Sequence, residues 1–294
     1  MAGASAGVNE PMTRSRCLCD VDRPDGPGGG VQGYTHATAM LTGARDNYVL
    51  RFLEDFTMFT GIVAAVGAIR QVEPLAGGSG VRLDVEAGQL GMEDVALGDS
   101  IAIQGACMTV VGKTADGFTV DVSAESLRRT VGLSAPGPVN LEKAMRLSDR
   151  VGGHLVSGHV DGQGVVRRFE PVGESHLLEI LAPAAMAGFL VYKGSITVDG
   201  VSLTVNHVED PPVADVVDPQ WPADSRAVLL DGGPLCCAFQ INLIPHTVAH
   251  TTLQRLRPGD RVNLEIDTVA RYLARMRDVE AQRRIKPEAG LTAD

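Results

Sequence analysis

Two histidines five residues apart, His154 and His159, are the first side chains whose type and spacing could do chemistry. Imidazole is a common ligand of zinc, so such a pair raises the question of a metal site. On an extended strand, however, residues five apart point to opposite faces of the sheet and cannot readily share one ion. No cluster of cysteines or carboxylates completes a ligand set. The sequence therefore argues against a metal centre.

The five cysteines predict a reduced protein rather than a disulfide framework or a zinc site. They form no Cys-x-x-Cys pair: Cys17 and Cys19 lie in a glycine-rich head, Cys107 is distant from the others, and Cys236 and Cys237 are adjacent. This pattern is typical of an intracellular protein.

Cys107 belongs to a string that recurs later in the chain, and this recurrence is the strongest signal in the sequence. Residues 103–110 (IQGACMTV) return as residues 198–205 (VDGVSLTV), so Ser202 takes the place of Cys107. Three further echoes keep the same order, namely 58–63 with 155–160, 118–122 with 239–243, and 139–142 with 262–265. Echoes in a constant order indicate a duplicated domain, because solenoid repeats have shorter periods of roughly 20–50 residues.

Short alternating apolar runs inside each half predict strands. In the first half the runs are residues 81–85, 101–103, 118–122 and 139–141. Turn signals rich in glycine and aspartate separate them. Many short strands with tight turns predict a small closed antiparallel barrel in each half. The second half is longer in one place, between Val205 and Phe239, where we expect a surface insertion.

Two short helices and a longer one complete the predicted elements. Ser123 is a capping residue for a helix in the first half, and Pro245 suits the first position of a helix in the second. From residue 267 to 279, apolar side chains recur every three to four positions and predict an amphipathic helix. Its apolar stripe packs either on its own barrel or on another subunit, and the sequence favours neither.

Length and composition fit two ordinary globular domains. The chain has 294 residues, of which 44% are hydrophobic and 21% charged, and domains cluster near about 100–150 residues. A net charge of −10, without a basic block rich in aromatic residues, argues against nucleic acid as a partner. No stretch reaches the roughly 18 apolar residues that a membrane span needs, so no membrane partner is expected.

Residues 1–57 lie outside the duplication. They lack periodic apolar positions and predict a disordered extension. Since the first echo opens on Met58, an equally weighted alternative is that translation begins there and the extension is not native. The predicted domains are 58–152 and 153–266, with an insertion near 211–236 and a helix and tail at 267–294.

Together these strings resemble riboflavin synthase, alpha chain, a family of duplicated lumazine-binding barrels. The resemblance rests on residues 58–63 (MFTGIV), 153–161 (GHLVSGHVD), 192–196 (YKGSI), 199–205 (DGVSLTV) and 242–247 (NLIPHT). It runs in order through both halves, over about residues 58–275.

The resemblance implies an all-β fold of two similar six-stranded antiparallel Greek-key barrels in tandem plus a C-terminal α-helix, usually as a homotrimer. The family's reaction is a dismutation. Two molecules of 6,7-dimethyl-8-ribityllumazine exchange a four-carbon unit and give riboflavin and 5-amino-6-(D-ribitylamino)uracil, with no cofactor and no metal. The resemblance further implies a cytoplasmic transferase that associates with lumazine synthase.

Two matching sets of substrate-binding residues follow from the resemblance. The first set is Gly61, Ile62, Val63, Cys107, Met108, Thr109, Asp121, Val122, Ser123, Ala124, Glu125 and Ser126. The second set is Gly158, His159, Val160, Lys193, Ser202, Leu203, Thr204, Asn242, Leu243, Ile244, Pro245, His246 and Thr247. Backbone amides and small hydroxyls suit the polar edge of a pteridine, and apolar side chains suit its flat ring.

Five residues carry hypothesised catalytic roles, namely Cys107, His159, Ser202, Asp267 and Phe59. Ser202 and Cys107 each orient one of the two substrates. His159 shuttles protons, because histidine exchanges protons near neutral pH. Asp267 orients a nucleophile or the ribityl chain, and Phe59 closes the site.

Each role has a plainer alternative. An isolated cysteine is usually a small buried apolar residue, His159 a structural histidine, and Lys193 or Asp267 a solvated surface charge. The main alternative function is a non-catalytic lumazine or flavin carrier, which needs only one polar pocket. Both halves keep their polar side chains, and this favours the enzyme.

Overall fold

The computed structural model describes residues 57–210 and 235–285 of the chain. Outside this description lie three predicted segments: the N-terminal extension up to residue 56, the insertion from 211 to 234, and the tail from 286. Among the described residues, no helix has the length and apolar character that crossing a membrane requires.

The first half is a closed six-stranded antiparallel barrel. Its strands are β1 (Ala65–Pro74), β2 (Gly80–Glu86), β3 (Ser100–Ile103), β4 (Ala106–Lys113), β5 (Gly117–Ser123) and β6 (Gly137–Lys143). Neighbours run in the order β1-β2-β5-β4-β3-β6, and β6 pairs with β1 to close the barrel. Alternate residues, such as Leu83 and Phe118, fill its core. The apolar side chains that alternate along the sequence therefore point into the core, and the residues between them point to the outside.

The second half follows the same plan with one strand interrupted. Its strands are β7 (Gly162–Val172), β8 (Ser175–Pro183), β9 (Ser195–Val198), β10 (Val201–Thr204), β11 (His207–Glu209), β12 (Leu235–Leu243) and β13 (Arg261–Ile266). They form a sheet in the order β10-β9-β13-β7-β8-β12-β11. Only Val205 and Asn206 separate β10 from β11, the two end strands of this order. Together, β10 and β11 occupy the place that β4 has in the first barrel.

The architecture confirms the predicted all-β class with a C-terminal helix. The four apolar runs of the first half lie in β2, β3, β5 and β6. Strand β12 begins at Leu235, within the last two residues assigned to the predicted insertion. The helices are α1 (Ala124–Arg129), α2 (Pro245–Ala249) and α3 (Thr268–Ile285), and short 3-10 helices lie at Ala76–Gly78, Ala184–Phe189 and Thr252–Arg255.

Helices α1 and α2 begin as the sequence predicts. Ser123 precedes α1, and its hydroxyl accepts the N–H of Ser126 at 3.0 Å. Pro245 is the first residue of α2, where a missing N–H costs no helical hydrogen bond. Helix α1 follows β5, and α2 follows β12, which is the equivalent strand of the second half.

Two asparagines in equivalent positions join the halves. Asn140 of β6 donates from Nδ2 to the carbonyl of Asp199 at 2.8 Å. Asn263 of β13 donates from Nδ2 to the carbonyl of Gln104 at 2.9 Å. Each asparagine oxygen also accepts a backbone N–H from the opposite half. Both residues are buried, so these reciprocal bonds satisfy amides that would otherwise be costly to bury.

The turns that accept these bonds touch each other. Gln104-Gly105 joins β3 to β4 and Asp199-Gly200 joins β9 to β10, all with φ between 48° and 84°. A Cβ on Gly105 would lie 2.6 Å from the nitrogen of Gly200, and one on Gly200 would lie 2.9 Å from the nitrogen of Gly105. The approach of the two backbones therefore requires glycine in both turns.

Asp199 brings a carboxyl into this buried interface. It is 2% exposed, and its Oδ1 accepts the N–H of Asn263 at 2.8 Å. Burial raises the pKa of Asp199 to about 7, although hydrogen bonds from Asn263 and Gln104 oppose the rise. The equivalent residue of the first half, Gln104, is neutral. The interface is thus polar on both sides but ionisable on one.

We expect Asp199→Asn to change how stability depends on pH. A carboxyl with a raised pKa binds its proton more tightly in the native state, so it costs stability as the pH rises from its unfolded pKa of about 4 to about 7. Asparagine keeps an acceptor for Asn263 and carries no charge. The melting temperature of the variant should exceed that of the wild type near pH 8, and the difference should shrink towards pH 4.5. Parallel profiles would show that Asp199 does not titrate in this range.

Candidate active site

Two segments, residues 57–63 and 154–160, lead into the two barrels and pair with each other; we call them the lead segments. The N–H of Phe59 donates to the carbonyl of Val156 at 2.7 Å, and the N–H of Val156 donates back at 3.0 Å. Beyond this bridge each segment runs onto the other barrel. Val63 packs against the core of the second barrel, and Val160 packs against the core of the first. The two lead segments are therefore exchanged.

Each exchanged segment meets the strand that carries the polar residue of the opposite half. The carbonyl of Gly61 accepts the N–H of Ser202 at 2.7 Å, and that of Gly158 accepts the N–H of Cys107 at 2.8 Å. A Cβ on Gly61 would lie 2.6 Å from the Cβ of Ser202, and one on Gly158 would lie 2.6 Å from the Cβ of Cys107. Both glycines have positive φ, so the contact depends on glycine twice over.

The exchange changes the grouping expected from the sequence, which placed Gly61 with Cys107 and Gly158 with Ser202. The structure instead places residues 61–63 beside Ser202, in what we call the Ser202 pocket. It places residues 158–160 beside Cys107, in what we call the Cys107 pocket. Each pocket thus combines a loop of one half with a strand of the other.

The sequence suggests His154 only as half of a metal pair, whereas the structure makes it a functional candidate. Its Nδ1 lies 2.7 Å from the hydroxyl of Ser202, and its Nε2 lies 3.2 Å from the hydroxyl of Thr197. Burial lowers the pKa of His154, and the charge of Asp267 opposes this shift. A neutral imidazole has one donor and one acceptor nitrogen, so Thr197 can hold one while the other takes the Ser202 proton. The Ser202 pocket therefore contains a hydroxyl with a base beside it.

The Cys107 pocket carries different polar groups. In the first half Thr57 is equivalent to His154, and its hydroxyl lies 3.3 Å from that of Ser100. Cys107 is half-buried and packs beside Phe59. The two pockets therefore share a scaffold but differ in chemistry, with an imidazole and a hydroxyl in one and a thiol in the other.

Phe59 and His159 lie in opposite environments. Phe59 is 0% exposed and packs in a small cluster with Ala102 and Val156. A side chain that is fully buried in this way stabilises the packing, whereas a residue that closes the site would have to be exposed towards the ligand. His159 is exposed and follows Gly158 in the Cys107 pocket. The structure therefore leaves His159 free to meet a ligand and gives Phe59 a supporting place.

Asp267 and Lys193 lie on the second half. Asp267 precedes α3, its Oδ1 accepts the N–H of Val269 at 2.9 Å, and its charge acts on His154. Lys193 has a φ of 64°, and its ammonium donates to the side chain of Asn206 at 3.1 Å. Asp267 therefore lies near enough to His154 for its charge to act on the pKa of that imidazole, while Lys193 lies beside the interruption between β10 and β11.

The predicted segments 121–126 and 242–247 begin in the last residues of β5 and β12 and continue into α1 and α2. Because these strands are antiparallel to β4 and β11, the chain after Val120 runs past the part of β4 that carries Cys107. The chain after Gln240 likewise runs past Thr204. The two segments therefore lie along the Cys107 pocket and the Ser202 pocket respectively.

The side chains of the predicted binding sets differ in accessibility. Those buried in the two cores are Met108, Val122, Leu203 and Leu243. Those exposed are Ile62, Thr109, Asp121, Ser123, Glu125, His159, Lys193, Thr204, Asn242, Ile244, Pro245 and His246, and those half-buried include Ala124, Ser126 and Thr247. Asp121 is held by Arg82 through hydrogen bonds of 2.7 and 2.8 Å, and Glu125 is held by Arg129 at 2.8 Å. These two carboxylates are engaged on the surface and are weaker candidates for ligand contact.

Comparison with known proteins agrees with this duplicated geometry. The lumazine binding domain family matches residues 60–144 and 157–267. Riboflavin synthase of Photobacterium phosphoreum is 38% identical over 221 residues, which are 74% of this chain and 88% of that protein. The enzyme of Mycobacterium bovis is 41% identical over 222 residues, which are 74% of this chain and 98% of that protein. The enzyme of Bacillus subtilis is 36% identical over 220 residues, with 74% and 89% covered.

Solved structures of LumP share the fold. The crystal structure of LumP with 6,7-dimethyl-8-(1'-D-ribityl) lumazine has a TM-score of 0.53 and 20% identity, and the match covers 70% of this chain and 98% of that one. The structure of LumP with riboflavin has a TM-score of 0.55 and 21% identity, with 71% and 98% covered. At this identity the likeness concerns the fold alone.

The sequence relatives determine the family. The lumazine binding domain occurs twice, and the two copies lie in the two barrels. Three riboflavin synthases at 36–41% identity are covered over 88–98% of their own length. The chain therefore belongs to the riboflavin synthase family.

Proposed function

We propose that the chain is a riboflavin synthase, a transferase that converts two molecules of 6,7-dimethyl-8-ribityllumazine into riboflavin and 5-amino-6-(D-ribitylamino)uracil. The observation that carries the proposal is the pair of pockets, which the same exchange of lead segments builds around Ser202 and around Cys107. A dismutation uses two copies of one substrate, and two similar sites suit that requirement.

The reaction needs one lumazine to lose a proton from its 7-methyl group. The other lumazine must take a nucleophile at C7, the ring carbon that bears this methyl group. The ring of the substrate delocalises the carbanion, so the protein mainly aligns two molecules and moves protons. We assign proton transfer to the Ser202 pocket, because His154 lies 2.7 Å from the Ser202 hydroxyl. The Cys107 pocket holds the second lumazine, and His159 stays a predicted shuttle there.

Helix α3 supports assembly with further copies of the chain. Val269, Tyr272, Leu273 and Met276 are 59–68% exposed, so this stripe does not pack on its own barrel. An apolar stripe of this kind is typical of a subunit interface. We propose that it contributes to a homotrimer. Association with lumazine synthase and a cytoplasmic location stay predictions.

The rival function is a carrier that binds lumazine or flavin without turnover. A carrier needs one occupied site, whereas here both pockets keep polar groups, Ser202 with His154 in one and Cys107 in the other. The His154–Ser202 pair adds a base that a carrier does not require. These two features favour the enzyme.

Turnover of a single substrate separates the two functions. We expect the purified chain, incubated with 6,7-dimethyl-8-ribityllumazine alone, to form riboflavin, which can be followed by its absorbance and by chromatography. One riboflavin should appear for every two lumazines consumed, because the reaction is a dismutation. Tight binding of lumazine with no riboflavin would establish the carrier instead.

Ser202→Ala and His154→Gln should each lower kcat by about a hundredfold, the usual scale of a lost acid–base group. Cys107→Ala should weaken binding of one lumazine. Ser79→Ala is a matched control, since that serine is exposed, its hydroxyl donates to the nearby carbonyl of Ala76, and the substitution leaves its own backbone carbonyl, which accepts the N–H of Ala124, in place. Unchanged kcat in the Ser202 and His154 variants would remove these roles.

The pH profile gives the His154 prediction a second readout. Because its pKa is lowered, His154 stays unprotonated down to a pH below the ordinary pKa of histidine. We therefore expect kcat to stay level at neutral pH and to fall only on the acid side. In His154→Gln that acidic limb should disappear. A limb that persists in the variant would belong to another group.

The stripe on α3 generates a prediction about assembly. Leu273→Glu should shift the chain towards the monomer, because it places a charge in an apolar contact. Light scattering after size-exclusion chromatography measures the change. Gln282→Glu adds the same charge to an exposed position further along the helix and should leave the mass unaltered. A wild-type monomer would exclude the trimer.

A further inference from the structure

The glutamates that end the fourth echo are buried at equivalent places in the two barrels. Glu142 closes the Val-Asn-Leu-Glu string of β6 and is 8% exposed, and Glu265 closes that of β13 and is 2% exposed. Neither residue is accounted for by the chemistry assigned to the pockets. A buried carboxylate is costly, so its place in the structure calls for specific partners.

Each glutamate accepts the same three hydrogen bonds from a lead segment. Glu142 Oε1 accepts from the N–H and the hydroxyl of Thr60 at 2.7 and 2.6 Å, and its Oε2 accepts from the N–H of Gly61 at 3.0 Å. Glu265 accepts from the N–H and the hydroxyl of Ser157 at 2.7 and 2.7 Å, and from the N–H of Gly158 at 3.0 Å. Each set of three hydrogen bonds, which we call a clamp, thus has two backbone N–H donors and one hydroxyl donor.

The donors in each clamp explain why the residue is a carboxylate. Two peptide N–H groups and one hydroxyl converge on a single side chain, and an ionised carboxylate has only acceptors to offer. A glutamine would turn its own NH₂ towards one of these N–H groups. Burial raises the pKa of Glu142 and raises that of Glu265 to about 7, which shows how strongly burial opposes the charge that the donors favour.

The clamped segment does not stay on the barrel that clamps it. Glu142 belongs to the first barrel, but the carbonyl of Gly61 accepts the N–H of Ser202, in the second. Glu265 belongs to the second barrel, but the carbonyl of Gly158 accepts the N–H of Cys107, in the first. One residue thus links each glutamate to a pocket strand of the opposite half.

We propose that Glu142 and Glu265 are positioning residues, and that each sets the geometry of the pocket whose reactive side chain belongs to the other barrel. Glu142 acts on the Ser202 pocket through Gly61, and Glu265 acts on the Cys107 pocket through Gly158. The turnover readout of this assignment rests on the proposed function, whereas the chemical readout below does not.

Thiol alkylation reports each pocket in the same terms. In the wild type, the rate at which iodoacetamide modifies Cys107 is measured by mass spectrometry of the peptide that contains it. For the other pocket, the double substitution Cys107→Ser with Ser202→Cys moves the thiol to position 202. Glu142→Gln and Glu265→Gln are then made in both backgrounds. Glu179→Gln is the matched control, because Glu179 is a buried carboxylate of β8 that binds Arg168 and Gln240 instead of a lead segment.

The effects should cross between the halves. Glu142→Gln should change the alkylation rate at position 202 by about tenfold and leave Cys107 within about twofold, since the loss of a bond to a charged group has effects of this order. Glu265→Gln should do the reverse. Glu179→Gln should alter neither rate. Both clamp variants should lower kcat, and the control should not.

Three outcomes would overturn the proposal: effects confined to the thiol of the same barrel, equal effects on both thiols, or no effect on either. If a glutamine variant does not fold by circular dichroism, Thr60→Val and Ser157→Ala replace them, because each removes one hydroxyl donor and keeps the carboxylate. They should show the same crossed pattern at smaller size. If the wild type binds lumazine without turnover, the proposed function fails, but the alkylation pattern still decides the role of the glutamates.

Discussion

Two buried asparagines, one from each half, determine where the residues of the site lie. Asn140 and Asn263 each place both ends of an amide on the backbone of the opposite half, in an interior where an unsatisfied amide is costly. Their partners include the turns before β4 and β10. Since Cys107 and Ser202 follow those turns by a few residues, the reciprocal amides fix the positions of both reactive side chains.

Much of this architecture could be predicted from the sequence, because the alternation of side chains and the turn signals are local properties. The duplication, the strands of the first half and the starts of α1 and α2 follow from such signals. The exchange of lead segments does not, because an echo shows which residues are equivalent and says nothing about which are adjacent. The interruption between β10 and β11 also leaves no mark in the string that aligns with β4.

His154 shows the same limit inside the site. The sequence places it five residues before His159, and that spacing suggests only a metal pair, which the geometry of a strand disfavours. Its hydroxyl partner Ser202 is 48 residues away along the chain, and their 2.7 Å contact exists only once the lead segment is folded onto the barrel. Glu142 and Glu265 likewise belonged to a recognised echo, but their partners are far away in sequence, so their role required coordinates.

The contact between Gly105 and Gly200 limits how far the two halves can diverge from their common ancestor. The pockets have drifted apart, with His154 opposite Thr57 and Ser202 opposite Cys107. At the glycines, however, a methyl group on either residue would meet the backbone of the other. A side chain added to either glycine would therefore disturb the backbone of both halves. This contact keeps glycine at the equivalent position of both copies, although the side chains of the two pockets now differ.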